Sequence, residues 1–194
     1  MQPLYGTDAD SREYRLPAPW GSFILTESFG DVWEIAPSFD AVTEPDAAPA
    51  PVTDVMGLLD DLIQTGRNLT TDEIARLLST PRAQNFSAFT RKVLTAVAEI
   101  PAGDFLTYGD VAAAVGSPKA QQAVGRALAA NPFFVLIPCH RVVGTDGSLT
   151  GYAGGMDKKV ALLELEHTDM SGFFIPKKSF SCYSKNIKNK LQEI

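Results

Sequence analysis

The sequence has 194 residues, 45% of them hydrophobic, and a formal net charge of −6 at pH 7. This length is enough to bury a sizeable core in one large domain or two small ones, and the apolar fraction is that of a globular protein. An apolar run of about 18 residues is missing, which argues against a membrane-spanning helix, and two cysteines are too few for a disulfide framework. The cysteine and histidine spacing fits no zinc site, so we predict no bound metal.

The acidic residues are concentrated in the first part of the chain. Residues 1–85 hold 14 acidic and 5 basic residues, residues 86–170 hold 8 and 7, and residues 171–194 hold 1 and 5. The net charge therefore argues against bulk attraction to nucleic acid, but the later segments are free to meet phosphates. Because a basic-then-apolar leader is missing, we expect an intracellular protein, cytoplasmic or, in a eukaryote, nuclear.

The N-terminal part predicts a small α/β scaffold domain, residues 1–83, without a chemical motif. Residues 1–18 are polar with several prolines and are expected to be poorly ordered. Residues 22–26 and 31–35 predict two strands of a hairpin around Phe29 and Gly30, and residues 37–51 predict a loop.

Two helices are predicted to complete this domain. Residues 54–64 carry apolar side chains at helical spacing, and residues 71–78 form a second short helix with Thr71 as its N-cap.

The C-terminal part, residues 84–170, predicts a mostly helical domain. Residues 86–100 place apolar side chains on one helical face, and Pro101 and Gly103 end that helix. Thr107 then caps a helix over residues 109–115.

A tight turn links that helix to the next one. Ser117 and Pro118 are the expected cap and first residue of a helix over residues 119–130. A short helix, a tight turn and a second helix form the helix-turn-helix layout, although many such pairs never contact DNA. Lys119, Gln122 and Arg126 give the second helix polar reach.

The chemistry is expected to centre on Cys139. Residues 133–137 are apolar and predict a short buried strand that Pro138 ends, so that Cys139 stands where rigid support runs into a turn. A thiolate rather than a thiol is the nucleophile, so Cys139 needs a base, and His140 is adjacent, directly or through water. Residues 142–143 continue as a short apolar step before a turn over residues 144–147.

Three further side chains are candidates for supporting roles. Glu166, at the end of a final helix over residues 157–166, could orient His140, and Asn131 could hold the turn by bonds to the backbone. Arg141 is expected to make an internal contact with a carboxylate or a carbonyl. From these residues alone, a cysteine hydrolase, an alkyl or acyl acceptor and a redox protein all remain open, the last with Cys182 as the resolving cysteine.

The tail mixes aromatic side chains with five lysines in residues 171–194. A phosphate-binding arm, a packed extension and a disordered segment are all compatible with this composition, and the last two are favoured.

Several motifs in order and spacing resemble the O6-alkylguanine-DNA alkyltransferase family over residues 84–167. They are Ile-Pro-Cys-His-Arg-Val at residues 137–142, Thr-Tyr-Gly-Asp-Val at 107–111, Ala-Val-Gly-Arg-Ala-Leu at 123–128, Asn-Pro at 131–132, Gly-Tyr-Ala-Gly-Gly at 151–155 and Leu-Leu-Glu-Leu-Glu at 162–166. The N-terminal part resembles the family's divergent scaffold domain only loosely.

This resemblance implies a DNA repair protein that acts once per molecule. Its helix-turn-helix would bind duplex DNA through the minor groove and rotate an alkylated guanine out of the stack. Cys139 would take the alkyl group as a thioether, without a cofactor and as a monomer. Whether alkylated thymine is also repaired stays open, and the alternative is a protein that binds alkyl lesions without efficient repair.

The resemblance also assigns roles to residues of this chain. Cys139 is the acceptor, His140 the base through water, Glu166 its orienting carboxylate, and Asn131 the support of the turn. The residues implied to contact the base or the DNA are Tyr108, Gln122, Ala123, Arg126, Val142, Tyr152, Ala153 and Gly154. Backbone carbonyls of Cys139 and Val142 would face the guanine amino group.

One position departs from the family pattern. The family usually carries an arginine on the second helix that fills the gap left by the extruded base, and here that position is Gln122. Arg126 lies one turn later and cannot take its place. We therefore expect weaker DNA binding or slower base flipping, with alkyl transfer retained.

Overall fold

The computed structural model describes residues 11–18, 21–28, 31–38, 40–44 and 46–176. Its strands are β1 (Arg12–Ala18), β2 (Gly21–Ser28), β3 (Asp31–Ser38), β4 (Leu106–Thr107) and β5 (Val142–Val143). Its helices are α1 (Ala50–Thr65), α2 (Thr71–Ser79), α3 (Ala88–Ala98), α4 (Tyr108–Ala114), α5 (Gln121–Ala129) and α6 (Met156–Leu165), with 3-10 turns at Pro81–Ala83 and Cys139–Arg141. The predicted mixed α/β class is confirmed. No helix in these ranges is long and apolar enough to cross a membrane.

A three-stranded antiparallel sheet in the order β1-β2-β3 forms the N-terminal part. The predicted hairpin is confirmed as β2 and β3, while its turn at residues 29–30 lies outside the described residues. The expectation of poor order was wrong for residues 12–18, which form β1. Every second side chain of this polar segment faces inward, since Tyr14, Leu16 and Ala18 pack against the core. Residues 1–10 lie outside the described ranges.

The two scaffold helices are confirmed, with shifted starts. Helix α1 begins at Ala50, before the predicted residue 54. Helix α2 is capped by Thr70 rather than by Thr71, because Thr70 accepts from the Glu73 N–H and the Glu73 carboxylate accepts from the Thr70 N–H. This reciprocal capping box requires a carboxylate three residues after the cap, and Ile74 stands at that distance from Thr71.

The helix-turn-helix is confirmed as α4 and α5, with Thr107 as the cap of α4. The second helix begins at Gln121 rather than at residue 119, and no side chain caps it. Ser117 is used instead to close α4, since its N–H donates to the Ala112 carbonyl at 2.8 Å. Its own carbonyl then accepts from the Ala120 N–H at 2.9 Å, so residues 117–120 form a turn.

The predicted strand before Cys139 was wrong. Residues 133–137 are buried but irregular, with isolated bridges from Phe133 to Ile35 and from Phe134 to Ile137. Val135 has φ 70°, which breaks any extended run and is rare for a β-branched residue. An apolar run signals burial, and here burial is reached without strand pairing. Cys139 consequently starts a 3-10 turn, and β5 follows it, paired in parallel with β4.

The two parts share a continuous apolar core. Strand β3 extends it by backbone pairing, since the Ile35 N–H donates to the Pro132 carbonyl at 2.7 Å and the Phe134 N–H donates to the Ile35 carbonyl at 3.3 Å. The domain limits 1–83, 84–170 and 171–194 stay predictions.

The first residues of the tail form a packed extension. The Leu149 N–H donates to the Phe174 carbonyl at 2.8 Å, and the Phe174 N–H donates to the Gly147 carbonyl at 3.2 Å. Residues 177–194, including Cys182 and all five lysines of the tail, lie outside the described residues.

Candidate active site around Cys139

The Cys139 thiol lies in a turn that Asn131 holds together. The Asn131 amide Nδ2 donates to the Ile137 carbonyl at 3.0 Å and to Cys139 Sγ at 3.4 Å, while its Oδ1 accepts from the Phe133 N–H at 3.0 Å. Cys139 is only 6% exposed, and burial raises the pKa of its thiol, against the hydrogen bond from Asn131. The thiol therefore needs a base to become a nucleophile.

His140 is fully buried and bonded to Glu166. Its Nε2 lies 2.9 Å from Glu166 Oε1, and burial lowers the pKa of the imidazole, against the hydrogen bond to Glu166, which raises it. Burial would raise the Glu166 pKa, but the hydrogen bonds from His140 and Arg141 outweigh it and lower the pKa to about 2. An ionised Glu166 accepts, so the neutral imidazole carries its hydrogen on Nε2. Nδ1 is then left as a basic atom, and it has no partner among the described residues.

Arg141 fixes the same carboxylate from the other side. Its Nε donates to Glu166 Oε2 at 2.9 Å and its Nη2 to Oε1 at 2.7 Å, a bidentate arrangement. Its Nη1 donates to the Ile100 carbonyl. The expectation of an internal carboxylate and carbonyl contact is confirmed, and it orients Glu166 toward His140.

Two tyrosines stand on either side of this group. The Tyr152 ring lies edge-on to His140, with centroids 6.5 Å apart, and burial raises the pKa of its hydroxyl well above the usual value. The Tyr108 hydroxyl donates to the Thr150 carbonyl at 3.2 Å. Burial raises the pKa of the Tyr108 hydroxyl, and the charge of Cys139 raises it further.

Close packing explains why a glycine stands at position 154, two residues after Tyr152. A Cβ on Gly154 would come within 2.8 Å of the Tyr152 ring and 3.1 Å of both Phe134 and Pro37. A side chain at Gly154 would therefore displace the wall of aromatic rings next to Cys139. Ala153, beside it, is packed against the same core.

The predicted DNA-contacting residues of α5 are not part of this buried group. Gln122 and Arg126 are exposed, and Ala123 is half-buried on the same helix. The helix reaches the site through Gly125, where an added Cβ would lie 3.9 Å from the Tyr108 ring. Tyr108 therefore contacts both α5 and the segment at residues 150–151.

Comparisons with known proteins show which family and which structures this chain resembles. Residues 88–168 match the family model of the 6-O-methylguanine DNA methyltransferase, DNA binding domain. The chain is 49% identical over 82 residues to a methylated-DNA--protein-cysteine methyltransferase of Methanosarcina barkeri, covering 42% of this chain and 52% of that protein. Over residues 88–168 the chain is similar to the DNA-binding domain of the 6-O-methylguanine DNA methyltransferase family. The match thus spans about half the length of the curated relatives.

Solved structures extend the likeness beyond residues 88–168. The O6-methylguanine methyltransferase of Mycobacterium tuberculosis has a TM-score of 0.61 and 27% identity, covering 88% of this chain and 99% of that one. The same organism's OGT in complex with DNA has a TM-score of 0.59 and 26% identity, covering 84% of this chain and 98% of that one. The scaffold part therefore shares the architecture of the methyltransferase structures.

Sequence reasoning missed Lys159, which lies in the matched part of the chain. Its side chain is fully buried on α6, and Nζ donates to the Val142 carbonyl at 2.6 Å. Burial lowers its pKa to about 8, against the charge of Cys139, which raises it. A signal was present, since Lys159 lies three residues after Met156 and four before Leu163, on the apolar face of the helix.

The carbonyls of Val142 and Cys139 are both engaged. Val142 O accepts from Lys159, and Cys139 O accepts from the Val142 N–H. Each carbonyl has a second lone pair, so the predicted contact with a guanine amino group stays open.

A cavity of about 290 Å³ lies next to Arg141 and Glu166. It is lined by the scaffold residues 62–69 and by Pro138, Arg141 and Glu166, but not by Cys139. Across the described ranges, no group of three or more metal-ligating side chains is present.

Proposed function

We propose that this protein repairs DNA by a single, irreversible transfer of an alkyl group from the O6 atom of guanine to Cys139. The observation that carries the proposal is that the buried Cys139 shares a 3-10 turn with His140, whose Nε2 is bonded to an ionised Glu166. The relatives named as methylated-DNA--protein-cysteine methyltransferases support this chemistry for the matched part of the chain.

The proposed reaction is a direct displacement at the alkyl carbon. His140 Nδ1 takes the thiol proton through one water molecule, and the sulfur lone pair forms the S–C bond. The electrons of the C–O6 bond leave with the guanine, which is reprotonated from His140. The thioether has no good leaving group, so the protein is consumed. We call Cys139, His140 and Glu166 the relay.

The proposed partner is duplex DNA, bound by the α4–α5 helix-turn-helix. Extrusion of the damaged base costs a few kcal/mol, less for a poorly paired base. Tyr108 is placed to act between the two sites, because its ring lies against α5 and its hydroxyl beside residues 150–151. Tyr152, Ala153 and Gly154 are the proposed wall of the base pocket.

Mass spectrometry after incubation with O6-benzylguanine tests this function. We expect one benzyl mass gain per protein, located on Cys139 and absent in Cys139→Ser, and the same outcome with a methyl group from O6-methylguanine duplex. Repeated release of product would instead indicate a hydrolase. Retained binding of the modified duplex without any mass gain would indicate a lesion-binding protein.

A further inference from the structure

Asn68, in the loop after α1, contacts Arg141, which in turn binds Glu166 of the relay. Asn68 Oδ1 accepts from Arg141 Nη1 at 3.4 Å, and Asn68 Nδ2 donates to the Glu99 carbonyl at 2.9 Å. Arg141 Nη1 also donates to the adjacent Ile100 carbonyl. Asn68 and Arg141 thus bind neighbouring carbonyls just after α3, where the last carbonyls of a helix lack intrahelical partners.

This loop is itself held in place before it reaches Arg141. The Arg67 guanidinium donates twice to the Glu73 carboxylate, at 3.1 Å each, and once to Asp61 at 2.5 Å. It also donates to the Asn68 carbonyl at 3.0 Å. Gly66 begins the loop with φ 66°, a left-handed conformation that suits glycine. These contacts therefore hold Asn68 in a fixed position from which it can bind Arg141.

We propose that Asn68 is a positioning residue of the scaffold domain, which acts on His140 through Arg141 and Glu166. Asn68 anchors one end of the guanidinium, so that Nε and Nη2 stay aligned with the two oxygens of Glu166. The carboxylate is then fixed toward His140 Nε2. This inference rests on the proposed alkyl transfer, and it assigns the scaffold domain a part in the reaction.

The charges around His140 give the proposal a signed readout. Glu166 and Lys159 face it from α6, Arg141 and Cys139 from its own turn, and Tyr152 from the following loop. Without Asn68, Arg141 Nη1 keeps the Ile100 carbonyl but loses its second acceptor, so the guanidinium is held less firmly. A guanidinium that shifts away from Glu166 neutralises this carboxylate less, and Glu166 then favours the imidazolium more strongly. The pKa of His140 then rises, and the acid limb of the rate profile moves to higher pH.

The test measures how fast free O6-benzylguanine alkylates the full-length protein between about pH 5 and about pH 9. This range includes the ordinary histidine pKa of about 6.5. The free base removes DNA binding from the measurement. Asn68→Ala, which removes both the acceptor for Arg141 and the donor to the Glu99 carbonyl, is compared with the wild-type protein. Thr65→Ala is the matched control, since Thr65 bonds within the same loop, to Asp61 and Arg67, without touching Arg141.

We expect Asn68→Ala to slow alkylation at neutral pH about threefold to tenfold, the range of one hydrogen bond, and to move the acid limb upward. Thr65→Ala should leave the profile unchanged. The inference fails if Asn68→Ala keeps the wild-type profile or if Thr65→Ala reproduces its shift. The proposed function fails separately, if wild-type Cys139 gains no benzyl group.

Discussion

Glu166 is a single carboxylate that binds two basic side chains. It accepts from His140 and twice from Arg141, while its side chain is only 12% exposed. An acid whose folded pKa is depressed stabilises the fold above its unfolded pKa, and this stabilisation is lost as the pH falls through the folded value. For Glu166 that window runs from the ordinary 4.5 down to about 2.

Replacing Glu166 by Gln should therefore change stability in a pH-dependent way. At pH 7 we expect the variant to be less stable by up to about 3 kcal/mol, because Arg141 loses its buried partner. The difference should shrink as the pH falls from 4.5 toward 2, where the wild-type carboxylate is protonated as well. Urea unfolding of both proteins across this range measures the difference, and a constant gap would contradict the prediction.

Gln122 is the residue at which the sequence is expected to depart from the pattern of the family that it resembles. It is exposed on α5 and carries no charge that could contact a phosphate or replace an extruded base electrostatically. Gln122→Arg should raise the rate on O6-methylguanine duplex DNA and leave the rate with free O6-benzylguanine unchanged. A rate on duplex that is equal or lower would refute the assigned role.

Gln121→Arg is the control for this variant. The neighbouring Gln121 is also exposed, and its side chain bonds locally to the Pro118 carbonyl at 3.0 Å. The Gln121→Arg substitution adds the same charge to the helix-turn-helix at a different angle around α5. If both variants accelerate the duplex reaction equally, the gain comes from general charge, and the specific role of position 122 is wrong.

At the scale of elements, the start of α4 couples stability to the site. Thr107 Oγ1 accepts from the Asp110 N–H at 3.1 Å, and Asp110 Oδ2 accepts from the Thr107 N–H at 2.9 Å. Tyr108 is the first residue of the helix that this box caps. The direction of the Tyr108 ring therefore depends on a cap that short-range sequence already specifies.

Thr107→Ala should cost about 1 kcal/mol, typical of a lost N-cap, and lower Tm by about 2–4 °C for a chain of this size. Because Tyr108 follows directly, we also expect a slower reaction with alkylated duplex. Ser87→Ala is the comparison, since Ser87 caps α3 by accepting from the Thr90 N–H at 3.0 Å. It should lower Tm similarly and spare the reaction, whereas equal losses of rate would show that stability alone is responsible.

The turn that carries Cys139 shows why element prediction failed at the site. The apolar residues 133–137 were correctly expected to be buried, but hydrophobicity alone does not choose between a strand and an irregular segment. Asn131 satisfies the Ile137 carbonyl and β3 satisfies Pro132 and Phe134, so the segment needs no ladder of its own. Those partners come from the packing of the chain.

At the scale of the whole molecule, charge is divided unevenly between the scaffold and the remainder. The scaffold part holds 14 of the 23 acidic residues, within residues 1–85. An anionic scaffold repels the phosphate backbone, so binding of duplex would depend on local cations of the C-terminal part, such as the exposed Lys119 and Arg126. Such contacts are screened by salt and release counterions.

Reaction with alkylated duplex should therefore slow as the salt concentration rises, while alkylation by free O6-benzylguanine should change little. We expect the apparent affinity for duplex to fall linearly in a double logarithmic plot against salt, with a slope of about −0.9 for each phosphate contact. Measuring both substrates in parallel separates DNA binding from the chemistry at Cys139. A duplex reaction independent of salt would contradict an electrostatic contribution to binding.

The sequence by itself determined which chemical groups are present and most of the helices. The spacing of apolar residues gave the faces of α1, α3 and α6, and the order of Cys139, His140 and Glu166 indicated the relay, because these signals are local or lie in matched motifs. The tertiary structure alone decided that Cys139 starts a 3-10 turn and that Lys159 is buried beside it. It also decided that Asn68 meets Arg141, 73 positions later, because contacts at that separation depend on how two parts of the chain pack.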